Sequence, residues 1–252
     1  MSASTAITPA ALHRALVDAA SARYQPAGRF AYHFARGKLG MDPLFIDLLR
    51  LGALQTGGRL LDLGCGQAVL AAWLLAARDA FERGAWPAGW PAPPHLTQLR
   101  GLELMPRDVA RAQPPFAGEP RVRIEQGDIT SAAFGTADAV TLLDVLHYFD
   151  EARQDDVLRR VRAALAPGGV LVARVGDAGR GLRFRLSRWV DQAVTVVRGH
   201  RVSPLYGHPM PVWVGKLKAL GFDVQVAATE GGPPFANTLL IARVPLVHEA
   251  AT

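Results

Sequence analysis

The 252-residue sequence reads as an α/β protein built on a seven-stranded, mostly parallel sheet, with helices on both faces, an antiparallel final strand and an N-terminal helical cap. Three observations predict this. Seven short β-rich runs occur at 59–63, 98–104, 121–126, 138–143, 169–175, 222–229 and 238–244. Helical patterns separate the first five, and strand–helix alternation gives parallel strands joined by crossover helices. The joints carry residues that start and stop helices, such as Asp42-Pro43 before an apolar-spaced run that ends at Gly52, and Pro167-Gly168-Gly169 before the fifth strand.

Taken in order, residues 1–58 supply about two helices and the aromatic stretch 29–34 (RFAYHF). They form a cap over the C-terminal edge of the sheet, where open α/β folds place their ligands. Residues 59–252 form the main domain, with a proline-rich insertion at 84–95; its core, WPAGWPAPP, suits a stiff surface loop rather than a helix or central strand. Asp150 can cap a helix that carries Val157, Leu158, Val161 and Leu165 on one side. The stretch 182–197 places Leu182, Leu186, Trp189, Val190, Ala193, Val194 and Val197 on one helical stripe, with Arg180, Arg185, Arg188 and Arg198 on the other side. The last two strands flank Glu230-Gly231-Gly232-Pro233-Pro234, a tight connection that suits an antiparallel pair at the sheet edge.

Half the residues are apolar and a fifth are charged, which excludes collagen-like, disordered and disulfide-scaffold chains. The longest uninterrupted apolar run, 68–77, is about half the roughly 20 residues of a membrane helix. No basic stretch leads into an apolar one near the N-terminus. The lone Cys65 suits a reducing compartment, and the expected location is cytoplasmic. The charge balance, 28 minus 22, is +6; of this, residues 174–201 contribute +5, from seven arginines against two acids. One local cluster on a nearly neutral remainder argues against nucleic acid and for a single surface that meets something negative.

The most informative segment is Arg59-Leu60-Leu61-Asp62-Leu63-Gly64-Cys65-Gly66-Gln67-Ala68. A buried strand runs into two glycines and then a helix, so backbone can approach a ligand closely and free amides face it. A glycine pair alone also describes an ordinary tight turn. Glu103 ends the next strand, where a carboxylate can accept both hydroxyls of a ribose. Taken with Gln126-Gly127-Asp128-Ile129, with 138–149 and with Pro167-Gly168-Gly169, the set resembles the class I S-adenosylmethionine-dependent methyltransferase family. The resemblance implies S-adenosylmethionine as cofactor, with Asp62, Gly64, Cys65 and Gly66 at the turn. It also implies Glu103 and Leu104 at the ribose and adenine, Asp128 and Ile129 at the adenine, and Leu143 at the end of the fourth strand. Arg36 or Lys38 would pair with the methionyl carboxylate, and Tyr24 is a further contact. Two departures stand out. The third glycine of the turn is Ala68, and Glu103 lies 41 residues after Asp62, where about 20 suits a compact unit; the proline-rich insertion accounts for most of the excess.

Methyl transfer from a sulfonium requires alignment, exclusion of water and, for some acceptors, removal of a proton. Asp144, His147 and Tyr148, just after the fourth strand, are the catalytic candidates, His147 first because imidazole titrates near neutrality. His33 and His208 are further choices. The Asp/Asn-Pro-Pro-aromatic signature of adenine-N6 enzymes, the Pro-Cys nucleophile of cytosine-C5 enzymes and the metal ligands of catechol-type enzymes are not found after that strand, so no metal is required. This leaves a small-molecule acceptor. The segments YHFARGKLGMDP, LLDVLHYF and PFANTLL resemble small bacterial methyltransferases of aryl-polyene pigment pathways. That resemblance implies secondary metabolism and a hydroxyaryl or polyene acceptor, while the basic side of the 182–197 helix reads either as a solvated face or as a docking face for an acidic carrier protein at Arg180, Arg185 and Arg188. Two other readings stay open: a non-catalytic partner subunit that keeps the cofactor fold, and a dinucleotide-dependent oxidoreductase, whose glycine fingerprint is incomplete here.

Overall fold

The computed structural model describes residues 7–54, 58–176, 206–227 and 237–246. They belong to two compact units, Met1–Ala132 and Ala133–Thr252. The first contains α1 (Pro9–Ala22), α2 (Arg29–Met41), α3 (Leu44–Arg50), β1 (Arg59–Leu63), α4 (Val69–Glu82), β2 (Gln98–Glu103), α5 (Pro106–Ala112) and β3 (Val122–Gln126). The second contains β4 (Ala137–Leu143), α6 (Glu151–Ala164), β5 (Leu165–Gly176), α7 (Met210–Ala219), β6 (Asp223–Ala227) and β7 (Asn237–Arg243). The seven strands form one sheet in the order β3-β2-β1-β4-β5-β7-β6.

In the first unit β1, β2 and β3 run parallel, with Asp62 opposite Gly101 and Glu103 opposite Gln126. Every residue of α4 from Val69 to Ala77 is buried. A helix that is apolar all round has to be covered all round, and the N-terminal helices do part of this. Trp73 is fully buried, donates its indole N–H to the Phe45 carbonyl at 2.9 Å, and meets the rings of Phe45 and His13 edge-on. The cap is thus three helices rather than about two, and it shares the compact unit of β1–β3; the aromatic stretch 29–34 lies inside α2. The division between the compact units falls after residue 132. Asp42 Oδ1 accepts from the Leu44 amide at 3.1 Å, and Gly52 turns left-handed, as the flanking residues of α3 predict. In the proline-rich loop Trp86 donates to the Pro91 carbonyl and packs on Phe81 and Trp90, so its tryptophans rest on their own surroundings.

In the second unit β4 and β5 are parallel, while β7 is antiparallel to both β5 and β6 and lies between them. The edge pair is therefore β7–β6, with β6 outermost. β5 begins at Leu165, four residues earlier than the sequence predicts, because Leu165 already pairs with Ala137 before the register shifts. Pro167-Gly168-Gly169 forms that irregularity rather than a turn ahead of the strand. A side chain at Gly169 would strike the carbonyls of Ala166 at 2.8 Å and Asp138 at 3.0 Å. Asp150 caps α6 by accepting from the Arg153 amide, and Val157, Leu158 and Val161 are buried as predicted. The arginine-rich stretch 180–198 and the 230–234 connection lie outside the described residues.

Removing the Trp73 side chain takes away a fully buried ring and its hydrogen bond. Trp73→Ala is expected to lower stability by about 3–5 kcal/mol, read as a reduced urea midpoint.

Candidate functional site

In the first unit the site is built from backbone. At the end of β1 the chain turns through left-handed conformations at Gly64 (φ 73°), Gly66 (φ 56°) and Ala68 (φ 57°) before entering α4. The Leu102 carbonyl on β2 accepts from both the Gly64 and Cys65 amides, at 2.8 and 3.1 Å. A Cβ at Gly101 would lie 2.7 Å from Cys65 Sγ and 2.8 Å from Ile124 Cδ1, so only glycine lets the turn close on β2. A Cβ placed at Gly66 meets no atom within 4 Å among the described residues, so the backbone is open on the side a Cβ would occupy.

Glu103 sits beside that opening. Its Oε2 accepts from the Gly66 amide at 2.9 Å and its Oε1 from the Met105 amide at 2.8 Å. The next residue, Leu104, is half exposed, an apolar side chain left in water beside a polar turn. Asp128 Oδ1 accepts from the amide and the hydroxyl of Thr130, at 2.8 and 2.7 Å, which tightens the loop after β3; Ile129 is buried there. The Gly127 amide donates to the Glu103 carbonyl and joins the two strand ends. An acid bridged by two amides, an open glycine and an exposed Leu104 fit a ligand with vicinal hydroxyls and a flat apolar ring.

Side chains behind the turn hold it. Tyr24, fully buried, donates to the Gln67 carbonyl at 2.6 Å, and Gln67 Nε2 donates to Asp108 at 2.9 Å. Burial pushes the Tyr24 hydroxyl well above its ordinary pKa and does the same to the Cys65 thiol, reinforced there by Asp62. Tyr24 is therefore a prop for the turn rather than a ligand contact, and Cys65 stays a packed, protonated thiol. Arg36 lies on the exposed side of α2 and pairs with Asp18 at 2.5 Å, while Lys38 pairs with Asp42 at 2.8 Å; the structure brings neither to the turn. The signal missed in the sequence is Gln67–Asp108, which joins residues 41 apart.

In the second unit Leu143, half-buried, ends β4, and Asp144 follows with φ 60°. The Asp144 carboxylate takes Arg174 in a two-pronged ion pair, with Nε at 2.7 Å from Oδ1 and a second contact from Nη2 to Oδ2. Arg174 is almost completely buried. A short 3-10 turn, Leu146–Tyr148, presents His147 and Tyr148 in ring contact at 4.2 Å. His147 Nε2 is buried with no hydrogen-bond partner among the described residues. Burial, with Arg174 nearby and against the pull of Asp144, holds the His147 imidazole below its ordinary pKa. Tyr148 is exposed, and His208 is paired with Gln154 rather than free. His33 touches Tyr32 in the other unit. Among the described residues no cluster of three His, Cys, Asp or Glu could hold a metal, and no helix is long and apolar enough to cross a membrane.

The sheet order, the left-handed glycine turn and the bridged acid define a class I methyltransferase fold, the class whose cofactor is S-adenosylmethionine. Comparison with known proteins agrees: residues 61–171 match the family model for a methyltransferase domain. Over 122 residues it is 34% identical to a carboxy-S-adenosyl-L-methionine synthase of Chromohalobacter salexigens, 47% of this chain and 40% of that protein. Among solved structures, an O-methyltransferase family protein from Burkholderia thailandensis superposes with a TM-score of 0.61 at 19% identity, covering 89% of this chain and 63% of that one. Human N-acetylserotonin methyltransferase in complex with S-adenosylmethionine gives 0.58 at 18% identity, covering 95% and 60%. The chain spans two fifths of the length of the curated relative it matches.

Ala68 holds a left-handed conformation with a Cβ, a cost of roughly 1 kcal/mol. Ala68→Gly is expected to raise stability by up to about that amount, seen as a higher Tm.

Proposed function

We propose that this chain binds S-adenosylmethionine and transfers its methyl group to the hydroxyl of a small hydroxyaryl or polyene acceptor. The observation that carries the reading is the Glu103 carboxylate, held by the Gly66 and Met105 amides beside an open glycine turn. Bound there, the cofactor supplies a methyl group already activated by its sulfonium, so the protein's task is to hold, orient and deprotonate. Glu103 accepts the ribose hydroxyls. Leu104 and Ile129 lie against the adenine, which the Asp128 loop holds, and the open backbone at Gly66 lets the methionyl part approach closely. Asp62 and Cys65 pack beneath the turn, and Leu143 borders the cofactor at the end of β4.

In the second unit, His147 takes the proton of the acceptor hydroxyl as the oxygen–methyl bond forms and the methyl–sulfur bond breaks. A neutral imidazole whose buried nitrogen has no partner among the described residues is a base in the correct protonation state, and a substrate hydroxyl can supply that hydrogen bond to Nε2. Asp144 orients the turn through Arg174 rather than accepting the proton itself, and Tyr148 offers an exposed ring for a flat acceptor. The O-methyltransferase name of the B. thailandensis structure favours oxygen as the acceptor atom. Delivery by an acidic carrier protein at Arg180, Arg185 and Arg188 rests on their charge alone. A second reading, formation of a carboxylated S-adenosylmethionine, is favoured by the name of the C. salexigens relative. Mass spectrometry of the turnover mixture separates the two: S-adenosylhomocysteine with a methylated acceptor, or a carboxylated cofactor.

Calorimetric titration with S-adenosylmethionine, S-adenosylhomocysteine and a nicotinamide dinucleotide is the direct test. Micromolar binding of the first two, about −7 to −8 kcal/mol, is expected, lost or much weakened in Glu103→Ala. Binding of the dinucleotide alone would overturn the proposal, and binding of none of the three would favour the partner-subunit reading.

The pH dependence follows from His147. With its pKa held down, the imidazole is neutral at pH 7 and stays neutral below the ordinary value of about 6.5. The acidic limb of kcat/KM should therefore fall below pH ~6.5, with a flat rate above it. His147→Gln should remove that limb and slow turnover by roughly 10²–10⁴-fold; an unchanged profile rules out His147 as the base.

A further inference from the structure

We infer that Gln154, with His208, is the positioning pair for His147, fixing from behind the turn that carries His147 and Tyr148. The inference rests on the reading of His147 as proton acceptor. Gln154 lies on the buried face of α6 and is fully buried. Its Nε2 donates to the Leu146 carbonyl at 3.1 Å and to the Phe149 carbonyl at 2.9 Å. Those are the peptide carbonyls immediately before and after the His147–Tyr148 pair. The same nitrogen lies 3.4 Å from the Tyr206 carbonyl, and the Tyr206 amide donates to the His147 carbonyl at 2.9 Å. The carbonyls at 146, 147 and 149 are therefore held by groups from α6 and from the segment that leads into α7.

The network also fixes its own chemistry. A carboxamide has one NH₂ and one acceptor oxygen. Three carbonyls face the Gln154 nitrogen, so that nitrogen is the NH₂ and Oε1 is the atom 3.0 Å from His208 Nε2. His208 must then carry hydrogen on Nε2, which holds for its neutral Nε2–H tautomer and for its imidazolium alike. Trp213 meets the His208 ring edge-on at 5.0 Å and keeps it in place. A turn held at three carbonyls can keep the His147 nitrogen buried and unpartnered; a loose turn would let it rotate into water.

The test is NMR of the full chain with labelled histidine, the His147 signals being assigned by their absence in His147→Gln. Gln154→Met keeps the length of the side chain and removes both hydrogen-bonding groups. Its expected effect is to hydrate the His147 ring and raise its titration midpoint by roughly half a pH unit or more, with S-adenosylmethionine affinity changed less than about twofold and the circular dichroism unchanged. The charged groups that act on His147 among the described residues, Asp144 and Arg174, are the same in both proteins, so the shift reports the turn. His208→Ala, which removes only the outer partner, should move the midpoint in the same direction by less, and it carries the test if Gln154→Met does not fold. An unchanged His147 midpoint in either folded variant overturns the positioning role, whatever the activity. If the midpoint moves while His147→Gln retains full methyl transfer, the proton-acceptor reading fails and the positioning stands.

Discussion

The carbonyl of Leu102 organises the first unit. It accepts two amides from a turn that bends left-handed three times within five residues, and those bonds exist only because β2 lies in register beside β1. The register in turn requires glycine at 101, where any side chain would strike Cys65 and Ile124. Once the turn is closed on β2, the Gly66 amide can reach Glu103, and Gln67 can take Tyr24 on one side and Asp108 on the other. The segment that follows α1, the strand β2 and the helix α5 are thus tied to a single bend. A substitution in any of them is felt at the bend even when its own side chain lies outside it.

The second unit solves a different problem with side chains. Asp144 takes a left-handed conformation that an aspartate tolerates better than most residues, and it is steadied there by an almost fully buried arginine. A buried charge of this kind is stable only while its partner is present, since removing one member leaves the other unpaired at a cost of about 3–5 kcal/mol. The same ion pair sets the electrostatics of the next turn. The carboxylate draws the His147 pKa up while the guanidinium and burial push it down, and burial prevails. The result is a neutral imidazole of fixed orientation, which suits a proton acceptor better than a charged one would.

The two units were not equally legible in the sequence. β1, the glycine turn, Glu103 and the Asp150 cap could be read because each depends on residues close together in the chain and on backbone rules with few exceptions. The late β strands were placed within a few residues, and the missed start of β5 has a plain cause: Pro167-Gly168-Gly169 is common in turns, while here it makes an irregularity within a strand whose pairing begins at Leu165. Three cap helices rather than two follow from α4, which is buried on every side and needs more cover than an amphipathic pattern in residues 1–58 announces. Positional reasoning from the family could not foresee that Arg36 pairs with Asp18, or that Tyr24 supports a carbonyl instead of facing a ligand. Gln154 left no trace in the sequence, because its partners at 146, 149, 206 and 208 form no motif.

That difference reflects how the two halves of such a protein can vary. A cofactor-facing turn built from amides, glycines and one acid tolerates few residue types at each position, since its constraints are conformational. A turn held in place by a glutamine, a histidine and an ion pair can be built in many ways, provided that every buried donor meets an acceptor. Changing the residues after β4 can therefore alter the chemistry offered to an acceptor while Gly64, Gly66 and Glu103 stay as they are, which is how one fold carries many activities. In this chain that turn and its support comprise an almost fully buried guanidinium, a histidine whose pKa is held down and an exposed tyrosine. That combination sets an exposed aromatic ring beside an imidazole that burial and the neighbouring guanidinium hold below its ordinary pKa.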